Sequence, residues 1–328
     1  MNEWRSQLKV DPIPNLIELE NPAIRFFVEQ DLLEEAPGDS KELWIMPEAA
    51  SLVRRQQTDG RWKYPGNTAR EKNQEDYDQI ETYRNLGILI EKYCFTRSHP
   101  TVEAAASFLF SCQSEEGDFR GIYGQQYSPN YTGGIMELLI KAGFQNEETI
   151  QRGFEWLLTI RQDDGGWAIP IRTLGLNLLQ MYSQDRPLLP DRSKPFSHLV
   201  TGVVLRAFAA HPIWKFSEIV RQTASMLAQR FFKPDEYIDR KNREYWERVS
   251  FPFWFTDIVS ALDSLTLVGI QDNLPEVRSA IEWLGNKQTP DGNFDLRIVH
   301  GKDRHIIKYW ITLAICRIFK RFYQGMQS

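Results

Sequence analysis

The feature that most constrains this chain is a turn motif that occurs four times. Each copy places a glutamine after an apolar helix end, followed by Asp or Glu, Gly, any residue, and Trp or Phe. The motif glycines lie 57, 48 and 127 residues apart, so the last spacing covers about two periods. Such a period predicts stacked supersecondary units, because one unit alone cannot bury its apolar face. The copies end in Asp59-Gly60-Arg61-Trp62, Glu116-Gly117-Asp118-Phe119, Asp164-Gly165-Gly166-Trp167 and Asp291-Gly292-Asn293-Phe294.

Helical periodicity accompanies every copy of the motif. Apolar residues at helical spacing predict an amphipathic helix before each motif and a more apolar helix after it. No stretch shows sustained strand alternation. The sequence therefore predicts an all-α fold, a single α/α toroid (α/α barrel) over residues 1–328 with about six inner and five outer helices. The outer helices are expected at 46–57, 100–113, 147–162, 216–230 and 275–288, and the inner helices at 21–35, 78–93, 131–142, 197–210, 256–268 and 304–322.

Composition and charge exclude several classes of function. The chain carries 39 basic and 44 acidic residues, and its net charge of −5 argues against nucleic-acid binding. Its three cysteines, Cys94, Cys112 and Cys316, form no Cys-x-x-Cys, so neither a disulfide framework nor a structural zinc motif is predicted. Neither a signal-peptide-like run nor a membrane-spanning apolar run occurs, so we expect a cytoplasmic protein without a transmembrane segment.

The repeated motif resembles the QW motif of squalene and oxidosqualene cyclases and the related repeats of protein prenyltransferase β subunits. The chain looks most similar to short stand-alone prokaryotic proteins of this terpenoid cyclase and prenyltransferase superfamily, notably in residues 21–32, 251–257 and 310–313. The resemblance implies an α/α toroid in which the Gln and the acid cap helix ends and the aromatic packs on the Gln. It also implies an isoprenoid or similarly apolar ligand.

The aromatic residues of the motif are interpreted as structural. Trp and Phe bury a large apolar area, and the motif glycine relieves the turn beside them. The acids of the same turns are therefore not catalytic candidates. The aromatic residues concerned are Trp62, Phe119, Trp167 and Phe294, and the acids are Asp59, Glu116, Asp164 and Asp291.

Two carboxylates at the start of the second inner helix are the first candidate catalytic residues. Class II terpene cyclases protonate an alkene with an Asp of an Asp-x-Asp-Asp motif, and Asp76 and Asp78 resemble part of it. The third acid is absent, because Gln79 follows. A buried acid beside a second carboxylate would stay protonated near neutral pH. The alternative is a helix N-cap with acids in the first turn, which the helix dipole favours.

An aromatic run that ends on an acid is the second candidate site. Phe251, Phe253, Trp254 and Phe255 open the helix predicted at 256–268, and Asp257 follows them. Aromatic faces stabilise carbocations through their quadrupoles and bind neutral prenyl chains by burial. We therefore predict Asp257 as a catalytic acid and these four aromatics as substrate-binding residues. Core packing is the alternative. Two further substrate-binding residues are predicted, Tyr83 and Trp310.

No cofactor is expected. His300, Asp303 and His305 offer zinc-ligand types, but the Asp-x-Cys of protein prenyltransferases is absent, so a charged loop is predicted there instead of a zinc site. Whether magnesium binds stays open.

A basic lip for a diphosphate is one interpretation of residues 61–70. Arg61, Lys63 and Arg70 carry the charge that such a lip needs, and a solvated loop is the alternative.

The leading hypothesis is an isoprenoid-handling enzyme, similar to terpene cyclases, that protonates an alkene in an aromatic-lined central cavity. One alternative is a non-catalytic toroid that binds a lipid or a protein partner. A further alternative is an (α/α)6 carbohydrate-active enzyme, which needs two carboxylates in an open groove rich in exposed Trp. Peripheral contact with a membrane is left open by all three hypotheses.

Overall fold

The computed structural model describes residues 3–66, 74–177, 180, 183–237, 243–270, 274–299 and 304–324. Within these residues the chain is all-α, apart from a parallel ladder between β1 (Arg248–Val249) and β2 (Arg297–Ile298). The α-helices are α1 Ile13–Glu18, α2 Pro22–Phe27, α3 Lys41–Trp44, α4 Pro47–Arg55, α5 Gln74–Tyr93, α6 Pro100–Ser111, α7 Pro129–Leu139, α8 Glu148–Thr159, α9 Pro170–Thr173, α10 His198–Ala210, α11 Glu218–Ala228, α12 Ile258–Leu267, α13 Pro275–Asn286 and α14 Arg304–Gln324. Short 3-10 helices occupy Glu3–Gln7, Gly121–Tyr123, Trp214–Phe216 and Arg243–Glu247, and π turns occupy Val28–Leu33 and Ile140–Phe144.

The predicted all-α fold is confirmed. The predicted outer helices correspond to α4, α6, α8, α11 and α13, and the later inner helices to α5, α7, α10, α12 and α14. The first inner helix, predicted at 21–35, is α2 continued by the π turn Val28–Leu33. Closure of these helices into one ring, and a single domain over residues 1–328, stay predictions.

The described residues cluster into two compact units. The first joins two separate stretches, Met1–Ser40 and Ile213–Ser328, and is called the split unit below. The second, Lys41–Pro212, is called the central unit. The predicted catalytic and substrate-binding residues are distributed over both units, so each unit is described by itself.

In the central unit, α7 packs on both α5 and α10. The contact with α10 is close because Gly133 has no side chain: a Cβ atom there would lie 2.8 Å from the Cα atom of Val204. In the split unit, α14 packs on α12, α2 and the 3-10 helix Glu3–Gln7. The apolar helices predicted as inner thus form the core of each unit.

The motif turns of the central unit share a hydrogen-bond pattern. The Nε2 atom of Gln56 donates to the carbonyl oxygens of Gly60 (2.8 Å) and Thr101 (2.9 Å). The Nε2 atom of Gln113 likewise donates to Gly117 (2.8 Å) and Thr149 (2.8 Å). Each glutamine therefore ties its own turn to the first turn of the next amphipathic helix. The motif glycines have positive φ in all four copies, between 79° and 106°, which favours glycine there.

The third copy divides these contacts between two side chains. Arg161 occupies the position four residues before Gly165, and its Nε atom donates to the Gly165 carbonyl oxygen at 2.6 Å. The neighbouring Gln162 donates instead to the carbonyl oxygens of Asp191 (2.8 Å) and Lys194 (2.9 Å). An arginine thus replaces a glutamine without loss of the turn contact.

Threonines on the apolar helices fix the motif aromatics. In the central unit, the backbone N–H of each motif aromatic donates to a threonine hydroxyl, and each of these threonines is buried. Through these bonds every turn is attached to the apolar helix that follows it. The pairs are Trp62 with Thr82 (2.9 Å), Phe119 with Thr132 (3.0 Å) and Trp167 with Thr201 (2.8 Å).

Candidate functional site

The aromatic segment before α12 is anchored by ring contacts within the split unit. The ring of Phe251 stacks on Trp310 of α14, with centroids 5.3 Å apart and planes at 4°. Phe253 meets Phe251 edge-on at 5.6 Å, and Phe27 meets Trp310 edge-on at 5.9 Å. All four rings are buried. The structure therefore brings together three of the predicted substrate-binding residues, Phe251, Phe253 and Trp310.

The next two aromatics of the segment are less enclosed. Trp254 and Phe255 are half-buried, whereas Phe251 and Phe253 are only 6% and 9% exposed. The backbone N–H of Trp254 donates to the hydroxyl of Ser250 at 3.3 Å. Two aromatics are thus fixed by packing, and the two that follow keep accessible surface.

Asp257 is fully buried and forms the N-cap of α12. Its Oδ1 atom accepts a hydrogen bond from the Ser260 backbone N–H at 2.8 Å, and its own N–H donates to the Ser260 hydroxyl at 2.9 Å. This reciprocal pair is a capping box, which satisfies two backbone donors that the helix leaves unbonded. Asp257 therefore has an N-cap role, which the sequence offered only as the alternative for Asp76 and Asp78.

Asp78 lies in the first turns of α5 and binds the segment that contains Arg61 and Tyr64. Its Oδ1 atom accepts hydrogen bonds from the Tyr64 backbone N–H (2.8 Å) and from Gln74 Nε2 (2.6 Å). Its Oδ2 atom lies 3.4 Å from the guanidinium of Arg61. Asp78 is 1% exposed, whereas Asp76 is half-buried.

The residues of the predicted basic lip are differently placed. Arg61 also pairs with Asp59 at 3.0 Å, so its guanidinium lies between two carboxylates, and Lys63 is exposed. Arg70 lies outside the described residues.

Tyr83 lies in the middle of α5 in the central unit, where it is buried against α7. A Cβ atom at Gly134 would lie 2.8 Å from the Tyr83 hydroxyl oxygen, so the missing side chain makes room for the ring. Burial raises the pKa of the Tyr83 hydroxyl to about 12. The charge of Arg206 lowers this pKa by a smaller amount, and the charge of Glu137 raises it. The hydroxyl therefore remains protonated over the physiological range.

A buried ion cluster beside Tyr83 was not predicted from the sequence. The Nε atom of Arg206 donates to Glu137 Oε2 at 2.7 Å, and Lys141 Nζ donates to Glu137 Oε1 at 2.8 Å and to Glu91 Oε1 at 2.6 Å. Burial acts to raise the pKa of Glu137, but the adjacent Arg206 and Lys141 outweigh it and hold that pKa below its ordinary value. The available signal was one glutamate and one arginine, each inside an otherwise apolar helix.

Neither a metal-ligating cluster nor a membrane-spanning helix occurs in the described part of the chain. No group of three His, Cys, Asp or Glu side chains there is arranged to hold a metal ion. His305 is exposed, while His300 and Asp303 lie outside the described residues. None of the described helices combines the length and apolar character needed to cross a bilayer.

Comparison with known proteins gives matches among solved structures. No family model and no curated protein matches the chain. The apo type II terpene cyclase MstE from Scytonema is 14% identical, with 88% of this chain and 98% of that chain covered and a TM-score of 0.36. A variant of that cyclase in complex with its substrate, geranylgeranyl dihydroxybenzoate, is 14% identical, with coverages of 88% and 97% and a TM-score of 0.37. A polysaccharide lyase is 12% identical, with coverages of 96% and 98% and a TM-score of 0.47. The chain is thus similar, at low identity, to solved structures that include a terpene cyclase.

Proposed function

We propose that this protein binds an isoprenoid or similarly apolar molecule beside the aromatic segment 251–255 and acts on it as a terpene cyclase-like enzyme. Asp257 is the proposed acid, and protonation of an alkene is the proposed first step. The observation that carries the proposal is a fully buried carboxyl group two residues after the last of four aromatic residues.

The aromatic segment supplies both parts of an apolar binding surface. Phe251 and Phe253 are held by the stack on Trp310 and form a rigid support. Trp254 and Phe255 keep accessible surface next to that support, where they can contact a ligand. A prenyl chain would gain roughly 25 cal/mol for each Å² of apolar surface that it buries there. The same rings would stabilise a carbocation by about 0.5–2 kcal/mol each.

The proposed reaction needs no oxidant and no cofactor. The O–H bond of neutral Asp257 breaks as a C–H bond forms on one alkene carbon, and the electron pair stays on the carboxylate. The neighbouring carbon becomes a cation, which a second double bond of the substrate attacks to close a ring. Loss of a proton from the final cation balances the first step, so the product is an isomer of the substrate.

Asp257 is preferred over the other two predicted acids because of its surroundings. Full burial disfavours a charged carboxylate, and an acid that protonates an alkene must be neutral and protected from water. Asp78 is also buried, but the charged guanidinium of Arg61 and two N–H donors lie against its oxygens. Asp257 also accepts an N–H hydrogen bond, from Ser260 at 2.8 Å, but that donor carries no charge. Asp76 is half-buried. Asp76 and Asp78 remain the second choice as catalytic acids.

The test is incubation of the purified protein with prenyl diphosphates of increasing length and with squalene, followed by product analysis by mass spectrometry. We expect a cyclic isomer of one substrate and its loss in Asp257→Asn. Asn caps helices as well as Asp does, so this variant keeps the N-cap while it removes the acid. Ser260→Ala is the matched control, because it disrupts the same capping box and keeps the acid. Unchanged product formation in Asp257→Asn would refute the assignment.

A non-catalytic protein that binds a lipid or a protein partner is the second candidate function. The observation that favours it is the capping box, which gives Asp257 a structural role without any chemistry. Tight binding of an isoprenoid with no turnover, and unchanged binding by Asp257→Asn, would support this function over the enzyme.

We further propose that a membrane surface supplies the apolar ligand. In the split unit, Ile213 and Phe216 are 75% and 63% exposed, and they flank Trp214 and Lys215. Aromatic and aliphatic side chains beside a lysine are typical of segments that lie at a membrane interface. Co-sedimentation with phosphatidylglycerol vesicles tests this contact, and we expect a double substitution of Ile213 and Phe216 by Ser to abolish it. Equal co-sedimentation of both proteins would contradict it.

A further inference from the structure

The split unit carries an open groove that the proposed reaction does not use. Its volume is about 690 Å³, within the range of small-molecule sites. Three elements line it: the 3-10 helix Arg243–Glu247, the end of α13, and the residues leading into β2. All of these elements belong to the split unit.

The groove combines hydrogen-bond acceptors with hydrogen-bond donors. The acceptors are the carboxylates of Glu244, Glu247 and Asp295, and the donors are Lys287 and Arg297. Arg297 lies 3.5 Å from Glu244, so these two charges partly neutralise each other. The lining as a whole carries a formal charge of −1, with both signs present along the groove.

The indole of Trp283 is the main apolar surface of the groove. Phe232 supports it from within the split unit, with ring centroids 5.1 Å apart. The ammonium group of Lys287 lies 5.0 Å from the centroid of the Trp283 ring. This lysine side chain is long and flexible, so a ligand that contacts the ring can displace it.

The backbone that carries these groups is held in place. Trp246, which is 1% exposed, donates from Nε1 to the Lys233 carbonyl oxygen at 2.9 Å and so anchors the 3-10 helix Arg243–Glu247. The Asp295 N–H donates to the Lys287 carbonyl oxygen at 2.8 Å. The parallel pairing of β1 with β2, which sets Arg248 opposite Arg297, fixes the backbone at the other side of the groove. A groove held in this way loses little conformational entropy when it binds a ligand.

We propose that this groove binds a neutral carbohydrate. Sugar hydroxyls both donate and accept hydrogen bonds, so they can satisfy carboxylates and cationic groups side by side. An anionic ligand would meet three carboxylates, and a polycation would meet Lys287 and Arg297. The indole of Trp283 provides apolar area with a specific geometry for the C–H face of a sugar ring. This inference is independent of the isoprenoid site.

The test is isothermal titration calorimetry of the full chain with maltotriose, cellotriose, xylotriose and triacetylchitotriose, with spermidine and inorganic phosphate as ionic comparisons. We expect one of the four sugars to bind, and Trp283→Ala to weaken it by at least about tenfold. The double variant Glu247→Gln with Asp295→Asn preserves side-chain shape and should weaken the same sugar similarly. Leu189→Ala, an exposed apolar residue of the central unit, should leave the affinity unchanged.

Three results would overturn the inference. The first is the absence of binding by all four sugars up to roughly 20 mM, above the weak end of specific affinities. The second is sugar binding that neither groove variant changes. The third is binding of spermidine or phosphate alone, which would assign the groove to an ionic ligand.

Discussion

The two units of the molecule differ in what is buried beside their predicted site residues. In the central unit, Glu137 on α7 is enclosed by Arg206 and Lys141, so a cluster of charges lies inside the helix packing. In the split unit, the corresponding interior holds the stacked rings of Phe251 and Trp310. Buried charges fix neighbouring helices through specific partners, whereas stacked rings offer apolar area that a ligand can share. Under the proposed function, the stack of Phe251 on Trp310 makes the split unit the place where an apolar ligand binds.

The largest expected effect is the loss of the central ion pair. Arg206→Ala leaves the Glu137 carboxylate buried beside one remaining cation, and we expect it to lower the free energy of unfolding by about 3–5 kcal/mol. Urea denaturation measures this change. The double variant Arg206→Met with Glu137→Leu should recover much of the loss, because an apolar pair of similar size avoids the uncompensated charge. A loss below about 1 kcal/mol in Arg206→Ala would place this cluster among weak surface pairs.

The pH dependence of the free energy of unfolding should show the contribution of ionised Glu137 in the central unit. The folded-state pKa of Glu137 is below its ordinary value of 4.5. The stability that its ionised form contributes is therefore fully present above about pH 4.5 and is lost as the pH falls through the lower folded-state pKa. We expect the wild type to lose more unfolding free energy than Glu137→Gln between about pH 7 and pH 3. Equal losses in the two proteins would contradict this expectation.

Two of the buried aspartates, Asp78 and Asp257, allow a comparison with a smaller expected effect. Asp78→Asn replaces a carboxylate that pairs with Arg61, and we expect a loss of about 1.5–3 kcal/mol. Asp257→Asn keeps a good N-cap, so its loss should stay below about 0.5 kcal/mol. Thermal and urea unfolding of the two variants measure the difference. If Asp257→Asn lowered the free energy of unfolding more than Asp78→Asn, Asp257 would stabilise the fold by more than its capping box accounts for.

A smaller effect than that of Asp78→Asn is expected where one ring of the aromatic stack is replaced. Phe251→Leu keeps apolar volume but removes the stack on Trp310, which should cost about 1–2 kcal/mol. If the segment binds a ligand, the same variant should reduce ligand binding more than Phe154→Leu, a fully buried ring of the central unit. If Phe251→Leu and Phe154→Leu reduced ligand binding equally, the stack would not belong to the ligand site.

Much of the fold could be predicted because helical periodicity is a local property. The helices α6, α8 and α13 begin and end within three residues of the predicted bounds. The capping box of α12 was also within reach, since Asp257 and Ser260 stand three residues apart at a helix start. Its signal was missed because the aromatic run before it suggested an acid with a chemical role.

The partners of buried polar residues could not be predicted. Arg206 and Glu137 are 69 residues apart, and the local sequence of neither helix identifies the partner on the other helix. The bond from the Trp167 N–H to Thr201 spans 34 residues and depends on how the turn meets the following helix. Such pairs follow from tertiary packing, which one sequence does not encode in its local pattern.

The division of the split unit has a consequence for the order in which the chain is completed during translation. Trp4 is buried in that unit, yet α14, which packs on the 3-10 helix Glu3–Gln7, is synthesised after the whole central unit. At ~5–20 residues per second, roughly 15–60 s separate residue 40 from the end of α14. During that interval the central unit can fold on the ribosome, while apolar side chains of the N-terminal segment remain exposed to solvent. Nascent-chain proteolysis should therefore find Lys41–Pro212 protected before the first 40 residues are.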